Sequence, residues 1–175
     1  MNTGVPSGPG MVVLEPMTDE ELRASIERSI PPYAEVSVRR GTWTAEAALA
    51  TARAEFDELV PRGIDTPGRH FAHVRERPGG PRVGEVWYRI TEKGGKTQAW
   101  VDWIWIAKEF RRRGLGRAVL ELVGREAALR GADRIGLNVE ADNPEAMEFY
   151  RRLGFEATSS HLARRIPPPT GDGPD

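Results

Sequence analysis

The sequence predicts an α/β fold in which an antiparallel meander of strands leads into a strand-helix-strand unit. Runs rich in aromatic and β-branched residues indicate strands near residues 70–77 and 82–90, joined by a Pro-Gly-Gly-Pro turn, and a third strand that ends at Ile106. Apolar residues then recur at helical spacing from Leu115 to Val123. A further strand is expected from Arg134 to Glu140. This mixture of helices and strands is typical of the α/β class.

The N-terminal part of the chain predicts one strand and two helices. Thr18 has the position of a helix N-cap, and Glu21 completes a capping box with it. Pro31 and Pro32 are expected to end that first helix, because proline removes a backbone donor. The predicted elements are a strand over 11–17, a helix from 19 to about 29, and a helix that starts at Thr42 or Thr44 and continues to Leu59.

Length and composition predict a single folded domain over residues 11–166. The glycine- and proline-rich residues 1–10 are expected to form a disordered lead, and residues 167–175 a disordered tail. After a helix end at Gly154, residues 155–166 are expected to form two short strands. A chain of 175 residues has the usual length of one domain.

The charge and cysteine content exclude several classes of protein. The net charge of −1 offers no basic field for nucleic acid or a membrane surface, and the absence of cysteine excludes disulfides and thiolate chemistry. Neither a signal peptide nor a transmembrane run is recognisable. These observations predict a cytoplasmic protein that binds neither nucleic acid nor membrane.

The segment between the third strand and the next helix has the features of an anion-binding turn. It reads Arg111-Arg112-Arg113-Gly114-Leu115-Gly116-Arg117. A helix N-terminus presents unpaired N–H groups and a partial positive charge, and glycine lets the backbone approach a ligand closely. The pattern is neither a Walker loop nor the G-x-G-x-x-G fingerprint of dinucleotide-binding folds. It predicts binding of a pyrophosphate. A solvated basic turn at a helix start would have the same sequence pattern.

A second segment predicts a capped helix that carries a tyrosine on its apolar face. Asn143 suits the N-cap, Pro144 the first helical position and Gly154 the C-terminal end. Tyr150 shares one face of this helix with other apolar residues. Taken alone, it is therefore also compatible with a packing role in the core.

Together, the two segments resemble the GCN5-related N-acetyltransferase (GNAT) superfamily. The coenzyme A loop of that superfamily reads Gln/Arg-x-x-Gly-x-Gly/Ala, which Arg111, Gly114 and Gly116 match. Its next motif is Asn-x-x-Ala-x-x-x-Tyr-x-x-x-Gly-Phe, and the matching residues are Asn143, Ala146, Tyr150, Gly154 and Phe155. The resemblance covers residues 97–166 closely. The segment from Leu59 to His70 is similar to a bacterial branch of the superfamily whose substrates are unassigned.

The resemblance implies a fold and a co-substrate. The expected fold is a mixed, mostly antiparallel central sheet of six to seven strands flanked by about four helices. The expected co-substrate is acetyl-CoA, whose pantetheine arm lies where two neighbouring strands splay apart. The residues implied to bind it are Ile104, Trp105 and Ile106 through their backbone groups, the loop residues Arg111, Arg112, Arg113, Gly114, Leu115, Gly116 and Arg117, and Asn143 and Tyr150.

The resemblance also implies direct acyl transfer in a ternary complex, since an amine can attack a thioester once both are held in register. A backbone N–H at or beside Ile106 would polarise the carbonyl, and Tyr150 would protonate the departing thiolate. Asp102 is the candidate base, because an acid in so apolar a strand would be desolvated. Alternatively, Asp102 is structural, and Glu85, Glu140 or a bound water takes the proton.

The acceptor is predicted to be the primary amine of a small molecule. Aromatic residues could line a pocket for a cationic amine or form the core, namely Tyr33, Trp43, Trp87, Tyr88, Trp103 and Trp105. Alternative acceptors are a protein or peptide N-terminus or a lysine, and the chain could also be a non-catalytic acetyl-CoA sensor. The resemblance allows a homodimer. His70 and His73 should point to opposite faces of a strand, so no metal site is expected.

Overall fold

The computed structural model describes residues 12–160, 162–164 and 166, which form two compact units. The first unit ends at Asn138, and the second begins at Val139. The lead and the tail that the sequence predicts, residues 1–10 and 167–175, lie outside the described residues. None of the described helices is long and apolar enough to cross a membrane.

The first unit contains five strands and three α-helices. In chain order they are β1 (Val13–Pro16), α1 (Asp19–Arg39), α2 (Ala45–Leu59), β2 (Arg69–Arg75), β3 (Arg82–Lys93), β4 (Lys96–Ile106), α3 (Leu115–Leu129) and β5 (Ala132–Leu137). Two single-turn 3₁₀ helices, Gly63–Asp65 and Lys108–Phe110, lie in the connections. The second unit contains α4 (Pro144–Arg152).

The strands form one mixed sheet in the order β1-β2-β3-β4-β5. The first four strands are mutually antiparallel, and β5 runs parallel to β4 with α3 in the connection between them. This arrangement confirms the predicted α/β class and the antiparallel meander that leads into a strand-helix-strand unit. The sheet has five strands among the described residues, fewer than the six to seven expected.

The difference in strand number lies at the C-terminal end. The two short strands expected over residues 155–166 are absent from the described part of that segment. Its residues are almost all exposed, and none is paired with a neighbouring strand. Composition alone suggests an extended conformation there, but a strand also requires a partner for its backbone groups.

Helix α1 continues well beyond the predicted end. Pro31 and Pro32 lie inside it, and the helix ends only at Arg39. The two prolines remove the donors that would reach the carbonyls of Glu27 and Arg28. Burial on both sides of the prolines stabilises the continuous helix, since Ile30 before them and Ala34 and Ser37 after them are buried. The prediction that Pro31-Pro32 break the helix is therefore wrong.

The two faces of the sheet carry different helices. Trp87 of β3 is buried in the core beside α1 and α2, and its ring meets that of Phe56 edge-on at 6.0 Å. The next residue, Tyr88, points to the other face, where its hydroxyl donates to Glu126 of α3 at 2.5 Å. Side chains alternate along a strand between bulges, so Phe71 and His73 of β2 and Glu85 and Trp87 of β3 face α1 and α2.

Candidate active site

One edge of β4 is left open where its pairing with β5 ends. β4 pairs with β3 as far as Ile106, but its pairing with β5 ends at Val101 opposite Leu137. Asp102 is the extra residue of a β-bulge, because the register passes from Val101 opposite Tyr88 to Trp103 opposite Trp87. Beyond the bulge, this edge of β4 has no partner strand among the residues that the structure describes.

The backbone groups that face the open edge are those of Ile104 and Ile106. The amide of Ala107 donates to Val83 of β3 at 2.9 Å, so the opposed pair Ile106 and Gly84 is of the non-hydrogen-bonded kind. The groups of Ile106, and those of Ile104 two residues earlier, therefore point away from β3, whereas those of Trp105 point toward it. Three residues are predicted to bind the co-substrate through their backbone groups. The backbone groups of one of them, Trp105, point toward β3 and not toward the open edge.

The N-terminus of α3 is the one α-helix start in the described residues without a side-chain cap. Thr18, Thr44 and Asn143 cap α1, α2 and α4, whereas the N-cap of α3 is Gly114, with φ of 79°. A side chain would be strained at this φ, and glycine also leaves the amides of the first turn uncovered. The start of α3 therefore offers backbone donors and a positive dipole to an anion.

The loop arginines are already engaged within the protein. Arg111 donates from Nε to the carbonyl of Ile106 at 2.8 Å, Arg113 pairs with Glu76 at 2.5 Å, and Arg117 pairs with Glu121 at 2.7 Å. Arg111 thereby ties the loop to the open end of β4. Because these side chains have partners, the capacity of this turn to hold phosphate rests chiefly on its backbone amides.

Asp102 lies in a cluster of charges and not in an apolar setting. Its carboxylate accepts from Arg69 at 2.6 Å and from Arg89, and its side chain is 8% exposed. Arg89 also stacks over the ring of Trp100, 5.5 Å from its centroid. The side chain is buried, as expected for a desolvated acid, but its neighbours are two guanidinium groups, as the structural alternative for Asp102 would have it. Both carboxylate oxygens of Asp102 are engaged by guanidinium groups, which favours a structural role for this residue.

A cavity of about 270 Å³ lies on the α1 side of the sheet, at the end of β4. It is lined by Glu21, Ala24, Arg28, His73, Arg82, Gly84, Glu85 and Trp105. Gly84 permits the close approach of β3 and β4 here, since a Cβ at this position would collide with the carbonyl oxygen of Trp105. The cavity therefore adjoins the strand end whose other edge is open.

The side chains of this cavity are charged and held by one another. Glu85 accepts from Ser25 and, at 2.7 Å, from Arg28 of α1, and its side chain is 10% exposed. Glu21 accepts from the backbone of Thr18, which together with Arg82 lowers its pKa to about 2. Both acids belong to networks that connect α1 to the sheet. Such a lining suits a small polar molecule.

The aromatic residues divide between core and cavity. Trp87 and Trp103 belong to or pack against the core, Trp43 meets Tyr33 edge-on, and Tyr88 faces α3. Trp105, 42% exposed, is the aromatic residue that lines the cavity. The prediction of an aromatic-lined pocket therefore applies to one tryptophan among those named, and the alternative of a core role describes Trp87 and Trp103.

In the second unit, α4 has the predicted caps. The side chain of Asn143 accepts from the amide of Ala146 at 3.1 Å, Pro144 occupies the first turn, and Gly154 has φ of 85°. Tyr150 packs edge-on against Phe149 and Phe155, with centroids 5.1 Å and 5.6 Å away. Burial raises the pKa of its phenol, so this group carries its proton at neutral pH.

His73 was considered from the sequence only as a possible metal ligand, and its place in the cavity was not anticipated. His70 stacks on Tyr88 and contacts Arg130 of α3, whereas His73 lies on the α1 side of the sheet. The two histidines thus face opposite ways, as predicted from their spacing. Arg28 and Ser25 were also missed, since no motif connects α1 with Glu85.

Comparisons with known proteins agree on the family. The acetyltransferase (GNAT) family model matches residues 36–155. The uncharacterized N-acetyltransferase YdgE of Bacillus subtilis is 26% identical over 153 residues, covering 87% of this chain and 97% of YdgE. The crystal structure of YycN, also from Bacillus subtilis, has a TM-score of 0.81 at 26% identity and covers 90% of this chain and all of that one.

One further relative and one further solved structure bear the names of specific acetyltransferases. A mycothiol acetyltransferase of Salinispora arenicola is 29% identical over 167 residues, which cover 90% of this chain and 48% of that protein. An aminoglycoside acetyltransferase from a soil metagenome, solved with sisomicin, shares the fold with a TM-score of 0.57 at 12% identity and covers 89% of this chain and 97% of its own. Because the family model matches more than half of this chain, the chain belongs to the acetyltransferase (GNAT) family and is an acyltransferase.

Proposed function

We propose that this protein transfers an acetyl group from acetyl-CoA to the primary amine of a small molecule, by direct attack within a ternary complex. The observation that carries the proposal is the arrangement at the end of β4. One edge of this strand is open beside the uncapped, glycine-bearing start of α3, and the charged cavity adjoins the same strand end.

The donor side of the proposal rests on backbone groups. The amides at the start of α3 bind the pyrophosphate of the co-substrate, and the groups of Ile104 and Ile106 pair with its pantetheine arm. GNAT enzymes in general use acetyl-CoA as co-substrate. The N–H of Ile106, which points to the open edge, is the donor that polarises the thioester carbonyl.

The acceptor side rests on the size and charge of the cavity. A volume of about 270 Å³ lies near the lower end of the range of small-molecule sites and is too small for a folded partner. Glu21 and Glu85 offer carboxylate oxygens to an ammonium group, and Trp105 offers an exposed ring face. The names of the mycothiol and aminoglycoside acetyltransferases indicate small-molecule acceptors for those relatives, which supports the same class here.

Protonation of the departing thiolate is assigned to Tyr150. Its phenol carries a proton at neutral pH, and burial holds that proton more tightly than in water. A thiolate leaving from CoA is a base of roughly pKa 8.5, so transfer from a phenol is possible only as charge develops on sulfur. Tyr150 therefore acts late in the reaction and contributes little to co-substrate affinity.

Binding and turnover test the proposal separately. Calorimetry with CoA and melting curves in millimolar CoA measure the donor site, and a ligand at 100 times its Kd stabilises by about 2.7 kcal/mol. Thiol release is then followed with alkylamines, an amino sugar, free amino acids and a lysine-containing peptide. We expect CoA binding, and turnover with one or more of the small amines.

The other outcomes each overturn part of the proposal. Turnover with the peptide alone would make the acceptor a protein. CoA binding without thiol release from any amine would make the protein an acetyl-CoA sensor. An absence of both a thermal shift and a calorimetric signal with CoA would refute the donor site itself.

A further inference from the structure

The cavity contains a buried imidazole nitrogen that has no hydrogen-bond partner. The side chain of His73 is 8% exposed, and its Nε2 is buried without a partner among the residues that the structure describes. A buried polar atom in this state costs free energy, which a bound donor recovers. Since His73 also lines the cavity, a molecule bound there is the natural source of that donor.

Two carboxylates flank the ring of His73 at its two nitrogens. Nδ1 lies 3.7 Å from Oε1 of Glu85, and Nε2 lies 3.6 Å from Oε1 of Glu21. Both distances exceed a normal N–H···O hydrogen bond, so neither acid satisfies the ring at present. A positive charge that forms on the ring would nevertheless be stabilised from both sides.

Charged groups face His73 from three elements. Burial and the Arg82 guanidinium hold the pKa of His73 below its usual value, against the opposing effect of the nearby carboxylates. The ring is therefore neutral at physiological pH, with a lone pair available to accept a proton. The charged residues around it are Glu15 opposite it on β1, Glu21 and Arg28 on α1, and Arg82 and Glu85 on β3.

We infer that His73 takes the proton from the acceptor ammonium and that Glu85 is the residue that positions it. This inference rests on the proposed function, because it assigns the base of that same reaction. Glu85 is itself fixed by Ser25 and Arg28, so its carboxylate keeps one position beside Nδ1 of the ring. An ammonium group bound between Nε2 and Oε1 of Glu21 can donate one hydrogen to each.

The step is balanced without a further reactant. One proton moves from the ammonium to Nε2 of His73, and the freed electron pair on nitrogen attacks the thioester carbonyl. The C–N bond forms and the C–S bond breaks. A second proton leaves the nitrogen as the amide forms, which balances the proton taken up by the thiolate. The proton on His73 then passes to solvent, and the ring is neutral again.

The test compares His73→Gln with His70→Gln, the same change on the opposite face of the same strand. Both variants and the parent are assayed over a pH series with ethylamine and with 2,2,2-trifluoroethylamine. The fluorinated amine is neutral at pH 7, whereas ethylamine is almost fully protonated. We expect His73→Gln to lower kcat/KM for ethylamine at pH 7 by about 100-fold or more. The loss should shrink to a few-fold with the fluorinated amine and as the pH rises.

The controls separate this inference from the proposed function. CoA binding and turnover by the parent establish the reaction, and His70→Gln should retain both within a few-fold. An equal loss for the two amines, or a His73→Gln variant with the parent's pH profile, would overturn the role of His73 while leaving the reaction intact.

A second variant keeps the inference testable if His73→Gln fails to fold. Glu85 raises the pKa of His73, so Glu85→Gln should move the acidic limb of kcat/KM to lower pH. A merely structural Glu85 would instead lower the melting temperature and leave that limb in place. An unmoved limb in a folded Glu85→Gln variant would contradict the assignment.

Discussion

The start of α3 and the cavity under α1 are built in opposite ways, although both lie at the end of β4. The start of α3 is made of backbone, over seven consecutive residues with a positive φ at Gly114. The cavity is made of side chains from α1, β2, β3 and β4 that lie up to 84 positions apart, from Glu21 to Trp105. A site of consecutive backbone groups leaves a motif in the sequence, whereas a site of dispersed side chains does not.

This contrast has an energetic counterpart. The helix start with Gly114 as its N-cap gives up only a few tenths of a kcal/mol relative to a Ser, Thr or Asn cap, and it keeps its amides available. The cavity instead satisfies most of its charges internally, through Arg28 with Glu85 and Arg82 with Glu21. The first region is suited to an anion, and the second to a small polar molecule.

The largest expected effect is at the helix start. Replacing Gly116 by valine should weaken CoA binding at least 100-fold in calorimetry, because a branched side chain covers the amides of the first turn. The melting temperature without CoA should change little. Gly124→Val, further along the same helix where a Cβ meets no atom within 4 Å, is the matched control and should bind CoA like the parent. Equal binding by both variants would contradict a backbone-made site.

The next effect concerns Tyr150, which lies in neither region. Tyr150→Phe should lower kcat about 100-fold under conditions where chemistry limits the rate, while the Kd for CoA changes less than twofold. The hydroxyl matters only as charge develops on sulfur, so ground-state binding is spared. If kcat is unchanged, Tyr150 is a packing residue and the acid must be sought elsewhere.

A smaller effect is expected for Asp102, the acid predicted from the sequence as the base. Asp102→Asn should destabilise the fold by roughly 3 kcal/mol, because Arg69 and Arg89 lose a buried partner. The pH dependence of the remaining activity should match that of the parent. Glu35→Gln, which removes an exposed partner of Arg39, is the control and should cost under about 1 kcal/mol. A change in the acidic limb of the pH–activity profile of Asp102→Asn would instead indicate that Asp102 on β4 is the base.

The smallest effect is on stability as a function of pH. Burial, with Arg82, lowers the pKa of His73 in the folded protein below the ordinary value of 6.5. The unfolded chain therefore binds this proton more tightly, and stability falls as the pH drops below about 6.5. Burial, with Arg130, acts on His70 in the same direction. Denaturant melts should show a shallower acid decline for His73→Gln and for His70→Gln than for the parent, and an unchanged slope in His73→Gln would argue against a buried neutral ring.

Local chemistry determined much of this protein from the sequence alone. The capping residues Thr18, Thr44 and Asn143 act where their side chains predict, and the helix start at Leu115 follows from glycine and periodicity. Each of these features depends on residues within one or two helical turns of each other, so the local sequence is sufficient to predict it. Pro31 and Pro32 mark the limit of that logic, because packing of the buried residues around them stabilises a helix that local propensity disfavours.

The cavity was decided by strand register, which only the tertiary structure specifies. The turn from Arg77 to Gly80 by itself would place His73 opposite Gly84, with Glu85 on the other face of the sheet. A bulge beside Val74 shifts the pairing by one residue and sets Glu85 opposite His73. The bulge at Asp102 likewise sets Trp105, and not Ile104, opposite Glu85. A one-residue shift reverses the face of every following side chain, so two bulges bring His73, Glu85 and Trp105 to one cavity.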